Sequence, residues 1–335
     1  MTHKLKLGWK ASAEQFGPRQ LLDFTVLAEQ VGFESAWISD HFQPWRHTNG
    51  HSPFSMAWLA AAGERTRRLT LGTSVLTPTF RYYPQVVAHA FATLGVLDPG
   101  RIVLGVGTGE SMNEVPVIGI DWPDSRERFR RLSEAVKLIR RLWTEDFVEH
   151  EGEYYKVKGA TVYDRPEPQV PIYVAATGEV AARFAGRQAD GFICTSGKGM
   201  ELYRDKLLPA VREGAEAAGR DYDAIEKMIE VKVAFDTDRD RALADTRIWA
   251  ALALPAEDKV GVENPKDMEE RARNVTNPER RWLVSSDPEE HVAQIAPYLE
   301  LGFTHLVFHY PGDDQERFLR LYAERILPRL RERWG

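Results

Sequence analysis

Short apolar runs alternate with longer amphipathic segments along most of the chain. Eight of these runs are rich in β-branched and aromatic residues, and we predict strands at 5–10, 35–40, 69–76, 102–106, 172–176, 191–195, 228–235 and 304–309. Helical spacing of apolar positions lies between most of them, as in 18–30, 128–143, 179–188, 200–218 and 288–300. Eight βα units without a linker predict an α/β fold, a TIM-like (β/α)8 barrel.

Four segments interrupt this repeat, near 41–53, 111–125, 147–162 and 254–280. The third has Gly152 in its middle and predicts an extra β-hairpin, the second predicts a long connection, and the fourth is polar and charged. We therefore expect residues 1–335 to form a single barrel domain with insertions. Because function in such barrels sits in the loops that follow strand C-termini, candidate chemistry is sought there.

Composition narrows the class of protein. The chain has 335 residues, 43% hydrophobic and 28% charged, which is typical of a globular protein, and its net charge of −6 disfavours a general nucleic-acid binder. The single cysteine excludes an internal disulfide, a Cys-rich zinc site and an iron–sulfur cluster. Neither a membrane helix of about 18 apolar residues nor an apolar signal segment is found. We expect a cytoplasmic protein without membrane or nucleic-acid partners.

Titratable residues follow the predicted second and fourth strands. The second ends in Asp40 and His41, and the fourth leads through GVGTGE to Glu110. Because the C-termini of parallel strands share one mouth, we expect His41 and Glu110 to face one pocket as an acid–base pair. A loop histidine capped by a neighbour is the alternative. No metal site is predicted, because His41, His47 and His51 lack a spacing that would converge them.

Small residues and cations mark the same edge of the barrel. The glycines of GVGTGE allow a planar or phosphorylated ligand to approach, although the pattern lacks the last glycine of a dinucleotide fingerprint. The turns ATGEV and CTSGKG, after the fifth and sixth strands, add backbone amides suited to phosphate. Lys198, Lys259 and Arg281 are candidates for a cationic trio, with a solvated surface lysine as the alternative.

Three other reactive side chains are assigned structural roles. Cys194 lies within the sixth strand without an activating neighbour, which indicates a small core residue. His305 and His309 share one face of the last strand by the period of two, which favours barrel packing or a contact at the rim.

Long, irregular stretches of sequence identify a protein family more specifically than short motifs do. The stretches that do so here are KASAEQFGPR, SDHFQPWRH, GERTRRLTLGTSVLTPTFRYYP, LGVGTGE, DGFICTSGKG, KLLPAVREGA and RWLVSSDPEE. The chain resembles, from end to end, the coenzyme F420-dependent glucose-6-phosphate dehydrogenases of the luciferase-like superfamily. The resemblance implies a TIM-like barrel with insertions, usually a homodimer, that binds the 8-hydroxy-5-deazaflavin F420 in its mouth. It further implies hydride transfer from C1 of glucose 6-phosphate, giving 6-phosphogluconolactone and reduced F420.

The resemblance also implies roles for individual residues. His41 would exchange a proton with the C1 hydroxyl, Glu110 would act at the pyrimidine edge of F420, and Trp45 and Glu14 would line the reacting centre. The residues that would bind F420 are Asp40, Ser74, Val75, Thr77, Thr108, Gly109, Asn113, Thr177, Gly178 and Val180. Ser74 and Val75 resemble the superfamily's non-proline cis bulge behind the ring. The sugar phosphate would contact Thr195, Lys198, Lys259 and Arg281.

Two positions depart from the family pattern. Val260 stands where the family commonly has histidine, and Thr177 stands where a double glycine is expected. Valine cannot hydrogen-bond a sugar or a phosphate, which weakens the assignment of glucose 6-phosphate in particular. The alternatives are an F420-dependent dehydrogenase of another sugar, sugar phosphate or alcohol, an FMN monooxygenase, and a sugar-phosphate binding protein without turnover.

Overall fold

A closed parallel barrel forms the centre of the computed structural model, which describes residues 4–335. The strands of the structure are β1 (Lys6–Ala11), β2 (Ser35–Ile38), β3 (Thr70–Thr73), β4 (Ile102–Val106), β5 (Val148–Glu151), β6 (Lys156–Ala160), β7 (Ile172–Ala175), β8 (Gly191–Thr195), β9 (Glu226–Phe235), β10 (Leu283–Ser285) and β11 (His305–His309). The eight barrel strands follow the order β11-β1-β2-β3-β4-β7-β8-β9, and β9 pairs with both β8 and β11 to close the ring. The predicted (β/α)8 fold is confirmed.

Most of the helices cover the outside of the barrel. They are α1 (Pro18–Gln30), α2 (Ser55–Arg65), α3 (Pro84–Leu97), α4 (Ser111–Ile118), α5 (Ser125–Thr144), α6 (Glu179–Gln188), α7 (Leu208–Ala217), α8 (Arg239–Asp245), α9 (Pro265–Arg273), α10 (Pro288–Glu300), α11 (Gln315–Arg325) and α12 (Leu327–Trp334). Helix α5 shows why they form, because its buried Leu132, Val136, Ile139 and Trp143 recur at helical spacing and Asp124 caps its first turn by accepting from the Glu127 N–H. Within the described range no helix is long and apolar enough to cross a membrane.

The interruptions of the repeat have different structures. The predicted hairpin at 147–162 is confirmed, since β5 and β6 pair antiparallel. The stretch 111–125 is not only a connection, because helix α4 fills its first half and ends at Gly119 in the left-handed conformation (φ 66°). Strand β10 was not predicted. Three residues are too short for a periodicity signal, and β10 forms only because the far end of β9 offers it a partner.

Side chains fill the lower interior of the barrel, which is the part nearer the N-terminal ends of the strands. Trp37 stacks on Tyr173 with ring centroids 5.7 Å apart, and four further buried apolar side chains complete this layer. Gly72 is required there, because a Cβ atom would lie 2.5 Å from the Trp37 ring. Since this layer blocks the lower end, the space for a ligand lies at the C-terminal end of the strands.

Candidate active site

His41, just after β2, is held between two carboxylates. Its Nδ1 lies 2.7 Å from Oε1 of Glu14, and its Nε2 lies 4.0 Å from Oε2 of Glu110. Burial by itself would lower the pKa of His41, but the negative charge and hydrogen bonding of Glu14, followed by the charge of Glu110, raise it to about 9. The imidazole of the free protein therefore carries a proton at neutral pH.

Trp45 connects the same two carboxylates. Its backbone N–H donates to Glu14 Oε2 at 2.7 Å, and its indole N–H donates to Glu110 Oε2 at 3.2 Å. The Glu110 side chain is 47% exposed, whereas that of Glu14 is buried. The arrangement gives one inner carboxylate that stabilises a charged imidazole and one outer carboxylate in the mouth of the site. The imidazole of His41, held in this way, can exchange protons with a bound alcohol.

The loop that carries His41 is fixed from both sides. The carboxylate of Asp40 accepts hydrogen bonds from Ser55 at 2.5 Å and from Arg81 at 2.9 Å. On the other side, Oδ1 of Asn113 accepts from the backbone N–H groups of residues 42 and 43 at 2.7 and 3.0 Å. Within the described residues, Nδ2 of Asn113 is buried without a hydrogen-bond partner. It is therefore a donor available to a ligand.

The peptide bond between Ser74 and Val75 is cis, as the resemblance implies. Lys10 holds this turn, because its Nζ donates to the carbonyl oxygen of Ser74 at 2.8 Å and to Oγ at 2.6 Å. A Cβ atom on Gly107 would lie 2.7 Å from Val75, so only glycine leaves this part of the wall flat.

These residues line one cavity of about 470 Å³ at the C-terminal end of the barrel. All the predicted site residues line it except Gly178 and Val180. Those two lie where α6 begins, and Val180 is 63% exposed. Val260 is also outside the cavity wall, at 76% exposure, so the departure from the family pattern at this position does not alter the wall.

Three cations gather in the same cavity. Lys198 follows β8, Lys259 comes from the insertion at 254–280, and Arg281 precedes β10. Burial lowers the pKa of Lys198 and of Lys259, and the positive charge of Arg281 lowers both further. Arg281 keeps its place by donating to the carbonyl oxygen of Gly197 at 2.6 Å. Three mutually repelling cations are suited to a doubly charged anion such as a phosphate group.

A charged floor beneath this cavity was not predicted. It consists of Lys10, Glu230, Lys232 and His309, with Trp249 and Leu252 beside it. Glu230 and Lys232 alternate along β9, and this period-two placement of charges in an apolar strand was the available signal. His309 belongs to the floor and lies 3.4 Å from Glu230.

Cys194 and His305 have the structural roles that were predicted for them. Cys194 is buried, and burial raises the pKa of its thiol, so the residue is not an activated nucleophile. His305 packs inside the lower barrel, with Nδ1 2.5 Å from Glu226. Among residues 4–335, no group of three or more His, Cys, Asp or Glu side chains is arranged to hold a metal ion.

Comparison with known proteins gives matches along nearly the whole chain. The F420-dependent glucose-6-phosphate dehydrogenase of Intrasporangium calvum is 61% identical over 331 residues, covering 98% of this chain and 99% of the relative. The protein of the same name from Nakamurella multipartita is 60% identical over 329 residues, covering 98% and 97%.

Solved structures extend the comparison to the fold. An F420-dependent secondary alcohol dehydrogenase in complex with an F420-acetone adduct is 33% identical with a TM-score of 0.91, covering 97% of this chain and 98% of the other. The coenzyme F420-dependent tetrahydromethanopterin reductase of Methanopyrus kandleri, 23% identical, has the same fold with a TM-score of 0.81 over 98% and 99% of the chains. Residues 5–305 match the model of the luciferase-like monooxygenase family, and the chain belongs to that luciferase-like family.

Proposed function

We propose that this protein is an F420-dependent glucose-6-phosphate dehydrogenase, which oxidises C1 of glucose 6-phosphate to 6-phosphogluconolactone and delivers the hydride to F420. One observation carries the proposal. The His41 centre and the cations Lys198, Lys259 and Arg281 line a single cavity, so a phosphorylated alcohol can meet both groups at once. The names of the relatives that are about 60% identical support the same activity.

The cavity wall suits a flat, polar cofactor. Gly107 places no side chain beside Val75 in the wall, and Nδ2 of Asn113 lacks a partner among the described residues. When bound, F420 supplies a carbon centre that accepts a hydride. We propose that it is held by Asp40, Ser74, Val75, Thr77, Thr108, Gly109, Asn113 and Thr177, with Gly178 and Val180 at the start of α6 contacting its outer part.

His41 is the proposed base. It takes the proton from the C1 hydroxyl as the hydride leaves C1, which requires the imidazole to be neutral beforehand. The carboxylate of Glu14 then stabilises the imidazolium that forms, from a distance of 2.7 Å. Trp45 orients Glu110 by donating to it at 3.2 Å, and Glu110 would exchange a proton at the pyrimidine edge of F420. Alignment of the two reactants and burial of His41 supply the remaining catalysis.

The three cations and Thr195 bind the phosphate end of the substrate, away from the reacting carbon. Binding energy gained there holds C1 in register with His41. Since Val260 is exposed and does not line the cavity, the loss of a histidine at this position is compatible with glucose 6-phosphate.

The test is anaerobic loss of the absorbance of oxidised F420 on addition of glucose 6-phosphate, with glucose and with NADP in parallel. We expect rapid bleaching with glucose 6-phosphate, much slower bleaching with glucose, and no reduction of NADP. Lys198→Met should abolish the preference for the phosphorylated sugar. Lys158→Met, the same change at an exposed lysine of strand β6 outside this cavity, should keep it. Equal rates with glucose and glucose 6-phosphate in the unchanged protein would refute phosphate recognition.

The second candidate is an F420-dependent dehydrogenase of another sugar, sugar phosphate or alcohol. The 0.91 TM-score to a secondary alcohol dehydrogenase favours this candidate. Turnover of propan-2-ol without turnover of any sugar phosphate would select it. Anaerobic turnover of either substrate excludes an FMN monooxygenase, because that reaction needs oxygen.

The assembly and location of the protein complete the proposal. We infer a cytoplasmic homodimer in which residues 1–335 form one barrel domain with insertions near 41–53, 111–125, 147–162 and 254–280. The single buried thiol, Cys194, is suited to a reducing compartment. Light scattering after size-exclusion chromatography tests the dimer, and limited proteolysis tests the single domain, since a protease-resistant fragment much shorter than the chain would contradict it.

A further inference from the structure

Two opposite charges from one strand form the centre of the cavity floor. Glu230 and Lys232 are two residues apart on β9 and are 8% and 4% exposed. In register, Glu230 pairs with Thr195 of β8, and Lys232 pairs with His309 of β11. Because side chains alternate along a strand, both residues point to the barrel interior, and both line the cavity.

The side chains of Glu230 and Lys232 contact their charged neighbours at ion-pair distances of 3.3 to 3.6 Å. Oε2 of Glu230 lies 3.3 Å from Lys10, and Oε1 lies 3.4 Å from His309. Nζ of Lys10 donates its hydrogen bonds to two oxygen atoms of Ser74. Nζ of Lys232 lies 3.6 Å from Glu230, beyond an ordinary hydrogen bond, and no other acceptor among the described residues 4–335 takes one of its protons.

An ammonium group that lines a cavity without an ordinary hydrogen bond to the protein has donors available to a ligand. Burial lowers the pKa of Lys232 to about 8, against the opposing effect of Glu230, and Arg281 lowers it further. The last effect shows that Lys232 lies within electrostatic reach of the phosphate-binding cations. Lys232 therefore lines the same cavity as those cations and the rest of the floor.

The residues proposed above to hold F420 and the phosphate do not include Glu230 or Lys232. A hexose phosphate with its phosphate on the cations and C1 at His41 carries its ring hydroxyls in between, and a hydroxyl both donates and accepts. We propose that Lys232 and Glu230 bind ring hydroxyls of the sugar, Lys232 as donor and Glu230 as acceptor, and so make the site selective for a polyhydroxylated substrate. This inference rests on the proposed function and identifies how the substrate body is recognised.

A site that is built to hydrogen-bond a hydroxyl rejects the analogue that lacks it, because its polar groups are left unpaired. The experiment therefore compares kcat/KM for glucose 6-phosphate with kcat/KM for its 2-deoxy, 3-deoxy and 4-deoxy analogues. We expect at least one analogue to be about 10-fold or more poorer for the unchanged protein. In Lys232→Met the same ratio should fall below about 3-fold.

Lys227→Met is the matched control. Lys227 is a buried lysine of the same strand, but it donates to the carbonyl oxygens of residues 222 and 225 and does not line the cavity. Its variant should keep the full penalty for the missing hydroxyl. Lys232→Gln provides a second variant, with thermal unfolding measured for all three, so that the comparison stands if Lys232→Met does not fold.

An unchanged penalty in both Lys232 variants, or the absence of any penalty in the unchanged protein, overturns the inference while leaving the proposed function intact. Failure of the proposed function has a different signature, which is no oxidation of glucose 6-phosphate at all. In that case calorimetric binding of the same four sugar phosphates decides: a hydroxyl penalty that Lys232→Met removes supports the pair, and no binding overturns it.

Discussion

Replacing Glu14 by glutamine should move the protonation of His41 to lower pH. The wild-type pKa of about 9 exceeds the ordinary value of 6.5 even though burial opposes it. At about 1.4 kcal/mol per pH unit, the difference corresponds to roughly 3 kcal/mol of net preference for the imidazolium. Glu14 is nearer than Glu110, at 2.7 against 4.0 Å. We therefore expect Glu14→Gln to lower the pKa of His41 by at least about one unit.

The sign of the effect on the reaction follows from the role of His41. A base must be neutral, so with a pKa of about 9 roughly one molecule in a hundred is ready at pH 7, and sugar oxidation should increase as pH rises through about 9. In Glu14→Gln the increase should occur at lower pH. Its plateau should also be lower, because the imidazolium formed in the reaction loses its carboxylate. Glutamine still accepts the Trp45 backbone N–H, so the loop is retained.

The assay is the pH dependence of kcat/KM for glucose 6-phosphate between pH 6 and 10, with the imidazole of His41 titrated by NMR. The NMR titration separates His41 from Lys232, whose pKa is about 8. Glu149→Gln, on the exposed hairpin strand β5, makes the same change of charge elsewhere and should leave both curves in place. An unmoved His41 titration in Glu14→Gln would refute the argument.

Three further predictions address binding and stability. Arg281→Met should raise KM for glucose 6-phosphate by about 10- to 100-fold with little change in kcat in steady-state kinetics, and a kcat effect alone would contradict a binding role. Gly105→Ala, whose Cβ would lie 1.9 Å from a backbone oxygen of β3, should lower the free energy of unfolding by about 3 kcal/mol or more in urea, whereas Gly178→Ala, with open space, should be nearly neutral. Burial would raise the pKa of Glu226, but hydrogen bonding and positive charge from His305 and Lys6 hold this pKa well below its ordinary range. Glu226→Gln should therefore lower the free energy of unfolding by about 3 kcal/mol at pH 7. The difference between the two proteins should shrink as pH falls below about 4.5, and a constant difference down to pH 3 would count against this reasoning.

Local patterns accounted for the barrel. Eight buried parallel strands leave continuous apolar runs, and their helices leave 3.6-residue periodicity, because each element must bury its own face. Helix α4 and strand β10 were not predicted, for two different local reasons. The first has a proline inside a short helix, and the second is only three residues long. Both depend on the neighbours against which they pack.

The fold class and the position of His41 and Glu110 after their strands could be predicted from the sequence, and the family resemblance implied the cis turn at Ser74. Which charges meet depends on the closed barrel. Lys198, Lys259 and Arg281 come from distant segments, and Lys232 gave no local sign that its donors would be left free. The physical reason is that hydrophobic periodicity is written in neighbouring residues, whereas distances between charges arise only when the barrel closes.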